Sequence, residues 1–217
     1  KKAVLEYAQK IADTVDYTGA GTVEFIYDVP NDAIYFMEMN TRLQVEHPVT
    51  EVVTGVDIVE KQFQIASGDS IEEMKFPVKG YGLEVRVNAE KAVLDSEGHV
   101  SFVPTPGEIT TCELPEEDYI QLISMAGEGK VVSPFYDSLI IQIICHGEDR
   151  NDAVNKMVEY LDRVVINGIC TNIELIKKIL RDEVFLGGEY DTGYLPAFLE
   201  RIDAEALIRE IEEASGS

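Results

Sequence analysis

The segment from Glu38 to Glu46 constrains the fold more than any other part of the chain, because its side chains alternate in character. Polar groups occupy every second position, as two acids, one guanidinium and two amides: Glu38, Asn40, Arg42, Gln44 and Glu46. Alternate side chains of an extended segment point to opposite faces. The pattern therefore predicts a strand with one apolar face and one face that carries a row of distinct polar groups. A solvated strand face has no need of two primary amides, so the row indicates a functional surface.

Two preceding segments predict a hairpin. Residues 20–27 and 33–38 are rich in β-branched and aromatic side chains, and the residues between them have the composition of a turn. A hairpin centred near Asn31 places Glu24 directly opposite Glu38, and like charges at facing positions destabilise a pair of strands. A divalent cation bridging the two carboxylates would reverse this effect, and Mg²⁺ beside phosphate groups needs only one or two carboxylates. The pattern favours such a cation site over two solvated glutamates.

The remaining elements predict a mixed fold of helices and antiparallel strands. Helical spacing of apolar residues marks residues 1–15, residues 50–66 with a break near Gly55, and most of the last third of the chain. Short alternating runs between residues 81 and 144, punctuated by proline and glycine, predict an antiparallel sheet. Residues 91–99 have the composition of an exposed loop.

The charge balance is strongly acidic, with 41 aspartates and glutamates against 18 lysines and arginines. A field of this sign disfavours nucleic acid and anionic membrane surfaces as partners, and no apolar run is long enough to cross a bilayer. The three cysteines, Cys112, Cys145 and Cys170, lack the spacing of a disulfide framework or a zinc site. We therefore expect free thiols in a reducing compartment.

Several short segments make the sequence similar to a known enzyme family. They are residues 19–25, 37–51 (MEMNTRLQVEHPVTE), 84–90, 104–107, 136–138 and 168–172. These segments closely resemble biotin carboxylase, the ATP-grasp component of acetyl-CoA, propionyl-CoA and pyruvate carboxylases. The resemblance implies an α+β fold. Residues 1–75 would form the C-terminal part of an ATP-grasp domain, an antiparallel sheet with flanking helices. Residues 76–217 would form the biotin carboxylase C-terminal domain, in one continuous structural unit with the first part.

The resemblance also implies a role for each of nine residues. ATP is expected at Glu24, Ile26 and Glu38, and Mg²⁺ or Mn²⁺ at Glu24, Glu38 and Asn40. Bicarbonate is expected at Arg42, Gln44 and the backbone of Val45, with Glu46 as the general base that takes its proton. Arg86 is expected to stabilise the negative charge that develops on the ureido oxygen of biotin. A planar guanidinium suits such oxyanions better than the point charge of a lysine.

The implied partners are those of a biotin-dependent carboxylase. Biotin would be a carrier-bound substrate, so we expect a biotin carboxyl carrier protein or domain, a carboxyltransferase component, and a homodimer formed through the C-terminal domain. The expected location is the cytoplasm, or the mitochondrial matrix in a eukaryote. The resemblance covers only the C-terminal half of such an enzyme and includes no glycine-rich lid over the ATP phosphates. We therefore expect the isolated chain to be inactive.

Two alternatives stay open at this point. Another ATP-grasp ligase, such as the large subunit of carbamoyl-phosphate synthetase, shares the paired glutamates and the spacing of Asn40 and Arg42. The chain could also act only as a non-catalytic dimerisation fragment. An apolar patch that fits either a dimer surface or a core strand comprises Tyr119, Ile120, Leu122 and Ile123. Gln142 stands where the resembled enzymes generally carry a lysine.

Overall fold

The structure, a computed structural model, describes residues 2–70 and 77–216. The chain groups into two compact units, Lys1–Lys79 and Gly80–Ser217. The boundary expected between residues 75 and 76 lies outside the described residues and stays a prediction. No described helix is both long enough and apolar enough to cross a membrane.

In its described residues, the first unit combines a two-stranded hairpin with three helices. In chain order its elements are α1 (Lys2–Thr14), β1 (Thr22–Asp28), β2 (Ala33–Asn40), α2 (His47–Thr54) and α3 (Ile58–Ala66). Strands β1 and β2 pair in antiparallel fashion. The ring of Phe25 meets that of Phe36 edge-on at 6.4 Å between centroids. The ring of Tyr7 in α1 lies 6.5 Å from Phe25. Aromatic contacts of this kind hold α1 against the hairpin.

The predicted break near Gly55 separates α2 from α3. Gly55 has a positive φ of 71° at the end of α2, where it donates its N–H to the carbonyl of Glu51. A left-handed conformation at this position suits glycine and ends a helix. Asp57 then caps α3 by accepting the N–H of Glu60. The break predicted from the sequence is confirmed.

The second unit carries the remaining strands and helices. Its strands are β3 (Tyr81–Asn88), β4 (Glu90–Leu94), β5 (Val100–Pro104), β6 (Gly107–Glu108), β7 (Thr111–Glu113), β8 (Ile120–Ser124), β9 (Val131–Val132), β10 (Leu139–Gly147) and β11 (Val165–Asn167). Its helices are α4 (Arg150–Leu161), α5 (Ile173–Leu180), α6 (Glu183–Gly187), α7 (Tyr194–Arg201) and α8 (Ala204–Ala214). The largest described sheet has the order β3-β10-β8, and β4–β5, β6–β9 and β7–β11 form two-stranded pairs. All these pairings are antiparallel, as expected.

The core of the second unit forms around β10. Its sequence LIIQIICHG is apolar on both faces except at Gln142 and His146, and Ile141, Ile143 and Ile144 are fully buried. A strand covered on both sides is expected to read as a continuous apolar run. Helix α4 adds Met157 and Tyr160 to this cluster. A second cluster joins the later helices and contains Ala92, Leu175, Phe198, Leu207 and Ile211.

The prediction of an exposed loop over residues 91–99 is wrong for its first part. Strand β4 continues to Leu94, and Ala92 pairs with Phe102 and is buried. The turn is confined to the following residues, where the carboxylate of Asp95 accepts the N–H groups of Glu97 and His99. The small side chain of Ala92 fits the second core cluster, and that packing extends the strand.

The apolar patch predicted around β8 divides between two faces. Tyr119, Ile120 and Leu122 pack against the first core cluster, whereas Ile123 is exposed. The alternative that these residues belong to the core is therefore confirmed for three of the four. Alternation along a strand places Ile123 on the face opposite Leu122.

Candidate functional site

Two glutamates face each other across the hairpin of the first unit. Glu24 in β1 pairs directly with Glu38 in β2. Between this pair and the turn the register shifts by one residue, so Phe25 pairs with Phe36, and Met37 is the additional residue of a β-bulge. Bulges redirect side chains at strand positions next to functional sites. The predicted facing of Glu24 and Glu38 is confirmed, and it depends on this bulge.

The two carboxylates converge on one amide. Nδ2 of Asn40 donates to Oε1 of Glu24 at 2.6 Å and to Oε1 of Glu38 at 3.2 Å. Nε2 of Gln44 approaches the same Oε1 of Glu24 at 3.4 Å. The two carboxylates therefore accept hydrogen bonds from neutral amides, and no cationic side chain takes part in these contacts. Such a constellation attracts a small cation.

The donor set fits a hard divalent cation with few protein ligands. Among the described residues no group of three or more histidine, cysteine, aspartate or glutamate side chains is arranged to hold a metal ion. A cation between Glu24 and Glu38 would thus take two carboxylates, the amide of Asn40, and further oxygens from outside the protein. Mg²⁺ is commonly held in this way, by one or two carboxylates together with water and phosphate oxygens.

The extended run predicted from Glu38 to Glu46 ends at Asn40. Residues 41–46 lie outside any strand, with a bend at Arg42 and a turn at residues 45–46, and α2 begins at His47. The carbonyl of Gln44 accepts the N–H of His47 at 3.2 Å, and Nδ1 of the same histidine lies 2.8 Å from that oxygen. This turn leads the chain into α2, so the prediction of a single row of polar side chains on one strand face is wrong beyond Asn40. The backbone and the side chain of His47 both contact the Gln44 carbonyl.

The expected bicarbonate residues lie in this turn. Arg42, Val45 and Glu46 are exposed, and Gln44 is half-buried because its amide reaches Glu24. Nη1 of Arg42 donates to the carbonyl of Leu43 at 3.3 Å. Gln44 thus links this turn to the paired carboxylates.

Ile26 was expected to contact ATP. It lies two residues after Glu24 on β1, pairs with Tyr35 and is exposed. Residues two apart on a strand share a face. An apolar surface is therefore available beside the carboxylates on the same face of β1.

Arg86 lies on β3 in the second unit, and half of its side chain is exposed. Its Nε is 3.5 Å from Oε1 of Glu84, whose side chain is only 6% exposed. Nε2 of Gln142 donates to the same oxygen at 3.2 Å, and Gln142 pairs with Arg86 in the register of β10 with β3. The structure thus groups three polar side chains on one face of the sheet.

Sequence reasoning missed the contacts of Asn172. This residue occupies the N-cap position of α5, yet its side chain does not cap the helix. Oδ1 accepts the N–H of Asn88 at 2.9 Å, and Nδ2 donates to the carbonyl of Arg86 at 3.1 Å. No local signal in the sequence distinguishes an asparagine that caps a helix from one used in this way.

Comparison with known proteins assigns both units. The family described as biotin carboxylase C-terminal domain matches residues 84–197. The family described as carbamoyl-phosphate synthase L chain, ATP binding domain, matches residues 1–74. Biotin carboxylase 1 of Bacillus subtilis is 42% identical over 193 residues, which are 88% of this chain and 42% of that protein.

Solved structures agree with this assignment. The biotin carboxylase of Campylobacter jejuni superposes with a TM-score of 0.82 at 37% identity, covering 88% of this chain and 42% of that one. The biotin carboxylase domain dimer of the Hydrogenobacter thermophilus 2-oxoglutarate carboxylase, in complex with MgADP, ADP and bicarbonate, gives a TM-score of 0.77 at 38% identity. That similarity covers 86% of this chain and 40% of the other. The chain spans about two fifths of the length of these relatives.

Proposed function

The chain belongs to the biotin carboxylase family, and from that premise we propose that it supplies part of a site where ATP and bicarbonate carboxylate biotin. The observation that carries the proposal is the pair of facing carboxylates, Glu24 and Glu38, joined through Asn40. The relatives are longer than this chain, so the activity belongs to the full-length protein.

The first part of the site holds the nucleotide and its metal. Glu24, Glu38 and Asn40 would ligate Mg²⁺ or Mn²⁺, and the ligand from Asn40 would be its amide oxygen, because the amide nitrogen is only a donor. The cation would neutralise phosphate charge and align the ATP, which is the main requirement of phosphoryl transfer. Ile26 would offer an apolar contact to the nucleotide on the same face of β1.

The second part activates bicarbonate. The guanidinium of Arg42, the amide of Gln44 and the backbone of Val45 would hold the anion, and Glu46 would accept its proton. A bicarbonate oxygen then forms a bond to the γ-phosphorus of ATP while the bond to the ADP oxygen breaks, which yields carboxyphosphate and ADP. Exposure of Arg42 and Glu46 supports this role, because both side chains are accessible to a small solute.

The third part acts on biotin. The carboxyl carbon passes from carboxyphosphate to a ureido nitrogen of biotin, inorganic phosphate leaves, and the ureido nitrogen loses its proton. Negative charge develops on the ureido oxygen during this transfer, and Arg86 would stabilise it as an oxyanion-type donor. The accessible guanidinium of Arg86 supports this assignment.

The alternative of a carbamoyl-phosphate synthetase is less well supported. Its ATP-binding domain matches only residues 1–74, whereas the match of residues 84–197 is specific to biotin carboxylase. A purely structural, dimerising role does not account for the facing carboxylates, which destabilise a strand pair unless a ligand joins them.

The proposed partners follow from the reaction. A biotinylated carrier protein or domain would bring biotin, and a carboxyltransferase component would use the product. A homodimer is supported by the dimeric relative from Hydrogenobacter thermophilus, and we assign its surface to the second unit. We place the protein in the cytoplasm, or the mitochondrial matrix of a eukaryote, a reducing location that suits its three free cysteines.

Bicarbonate-dependent ATP hydrolysis in the presence of biotin tests the proposal in the full-length protein. Arg42→Ala, Glu46→Gln and Arg86→Ala should each lower carboxylation about a hundredfold or more, since each removes a positioned charge or proton acceptor. Arg209→Ala is a matched control, because Arg209 is an exposed arginine on α8 that contacts only a neighbouring glutamate in the described pairs.

Product analysis separates the two enzyme classes. Carboxylated biotin is expected, and formation of carbamoyl phosphate from ammonia instead would assign the protein to the other class. Turnover that is unchanged in all three variants would refute the assigned roles.

A further inference from the structure

Glu84 is a carboxylate in an unusual position for a charged group. Its side chain is 6% exposed, on a strand that has only one strand partner in its described sheet. Burying a carboxylate is unfavourable unless charged or hydrogen-bonding partners compensate. Two such partners converge on the same oxygen, Oε1, namely Nε of Arg86 at 3.5 Å and Nε2 of Gln142 at 3.2 Å.

Strand geometry explains why these three groups meet. Glu84 and Arg86 are two residues apart on β3 and therefore share a face of the sheet. Gln142 pairs with Arg86 across the ladder between β10 and β3, so it occupies that face as well. Ile141 and Ile143, its neighbours in β10, belong to the core on the opposite face. The position of Gln142 is thus fixed by the most deeply buried strand of the unit.

The contacts of Glu84 show how its carboxylate is held against Arg86. Gln142 is neutral, so it fixes Oε1 of Glu84 by a hydrogen bond without adding a second positive charge to the contact. Arg86 contacts this carboxylate through Nε, the nitrogen nearest the aliphatic stem. A contact at Nε restrains the last side-chain torsions of Arg86. The two Nη groups lie at the far end of the planar guanidinium.

We propose that Glu84, itself fixed by Gln142, is a positioning residue that orients the Arg86 guanidinium for the ureido oxygen of biotin. This inference rests on the role proposed above for Arg86 and adds the residues that aim it. In this proposal Glu84 acts through Arg86, so it is a positioning residue and not a catalytic one. A misplacement of about 1 Å in such a group is enough to reduce turnover by roughly a hundredfold.

A double-mutant cycle in the full-length protein tests the proposal. Glu84→Gln keeps the shape and removes the charge, and it should lower kcat for biotin carboxylation about tenfold to a hundredfold with little change in KM for ATP. Gln142→Leu should reduce kcat less, about threefold, because the carboxylate remains. In an Arg86→Ala background Glu84→Gln should cause no further loss, since residues that act through one group are not additive. Equal losses in both backgrounds would overturn the proposal.

Glu117→Gln is the matched control for the loss of an ion pair. Glu117 contacts Nη1 of Arg163 at 2.7 Å in the same unit, and Arg163 is as exposed as Arg86. This variant should leave kcat for biotin carboxylation within twofold of the wild type. A loss as large as that of Glu84→Gln would mean that ion-pair loss anywhere in the unit disturbs turnover, and the proposal would be wrong.

NMR of the arginine side chain separates this inference from the proposed function. The Nε–H signal of Arg86 should exchange slowly with water, and Glu84→Gln should accelerate its exchange at least fivefold whereas Glu117→Gln should not. If that change is absent, Glu84 does not hold the guanidinium. If it is present while Arg86→Ala leaves carboxylation unchanged, the role assigned to Arg86 fails and the positioning role of Glu84 in catalysis falls with it.

Discussion

Replacement of Glu24 by glutamine gives a direct test of the facing carboxylates. Oε1 of Glu24 and Oε1 of Glu38 bind the same Asn40 nitrogen at 2.6 Å and 3.2 Å, so these oxygens are no more than about 6 Å apart. Two unit charges at that distance repel by about 0.7 kcal/mol in water and about 3 kcal/mol at an effective dielectric constant of 20. Because Glu38 is exposed, the lower part of this range applies.

Without a divalent cation, Glu24→Gln should therefore stabilise the chain by about 1 kcal/mol in urea unfolding at low salt. The gain should shrink as salt screens the repulsion. With Mn²⁺ present the order should reverse, because a ligand that binds only the folded state stabilises it by about 2.7 kcal/mol at a hundred times its Kd. Electron paramagnetic resonance of free Mn²⁺ should show at least tenfold weaker binding to the variant.

Glu60→Gln is the matched control for this prediction. Glu60 is an exposed glutamate that also accepts a hydrogen bond from a side-chain amide, Nε2 of Gln64 at 2.6 Å, with no second carboxylate in that contact. This variant should not gain stability at low salt, and its Mn²⁺ affinity should match that of the wild type. If Glu24→Gln destabilises the cation-free chain, or binds Mn²⁺ as the wild type does, the two carboxylates do not share a cation.

Three further predictions concern the second unit. Leu207→Ala should lower the free energy of unfolding by about 2–5 kcal/mol because Leu207 is fully buried, whereas Leu195→Ala at an exposed site should cost clearly less in the same urea titration. A hydrogen bond from Arg201 holds the pKa of Asp182 below its usual range. This pair therefore stabilises the fold above about pH 4, the contribution is lost as the pH falls through the lowered pKa, and Asp182→Asn should flatten the acid side of the stability profile. If the exposed Ile123 lies in a dimer surface, sedimentation should show more dimer as salt screens a net charge of −23 on each chain, and a monomer at every salt concentration would refute this.

The sequence by itself determined the features that depend on short-range patterns. Period-two alternation and turn composition predicted the β1–β2 hairpin, because a hairpin depends on residues close together in the chain. The facing of Glu24 with Glu38 was also predicted, but in the structure it depends on the bulge at Met37, which no pattern indicated. The break at Gly55 followed from one residue that tolerates a positive φ. The motifs around Arg42 and Arg86 indicated the family, which the comparisons support over both units.

Tertiary structure decided what those patterns could not encode. The turn at Gln44 ends the strand at Asn40, since a local hydrogen bond to His47 replaces extended pairing, and β2 has no further partner among the described strands to continue it. Near Arg86, Glu84 contacts Gln142, which lies 58 positions away in the chain. Arg86 itself contacts Asn172, which lies 86 positions away. Whether such groups meet depends on which strands pair and in which register. Burial of the core of the whole unit fixes that pairing, and local periodicity does not.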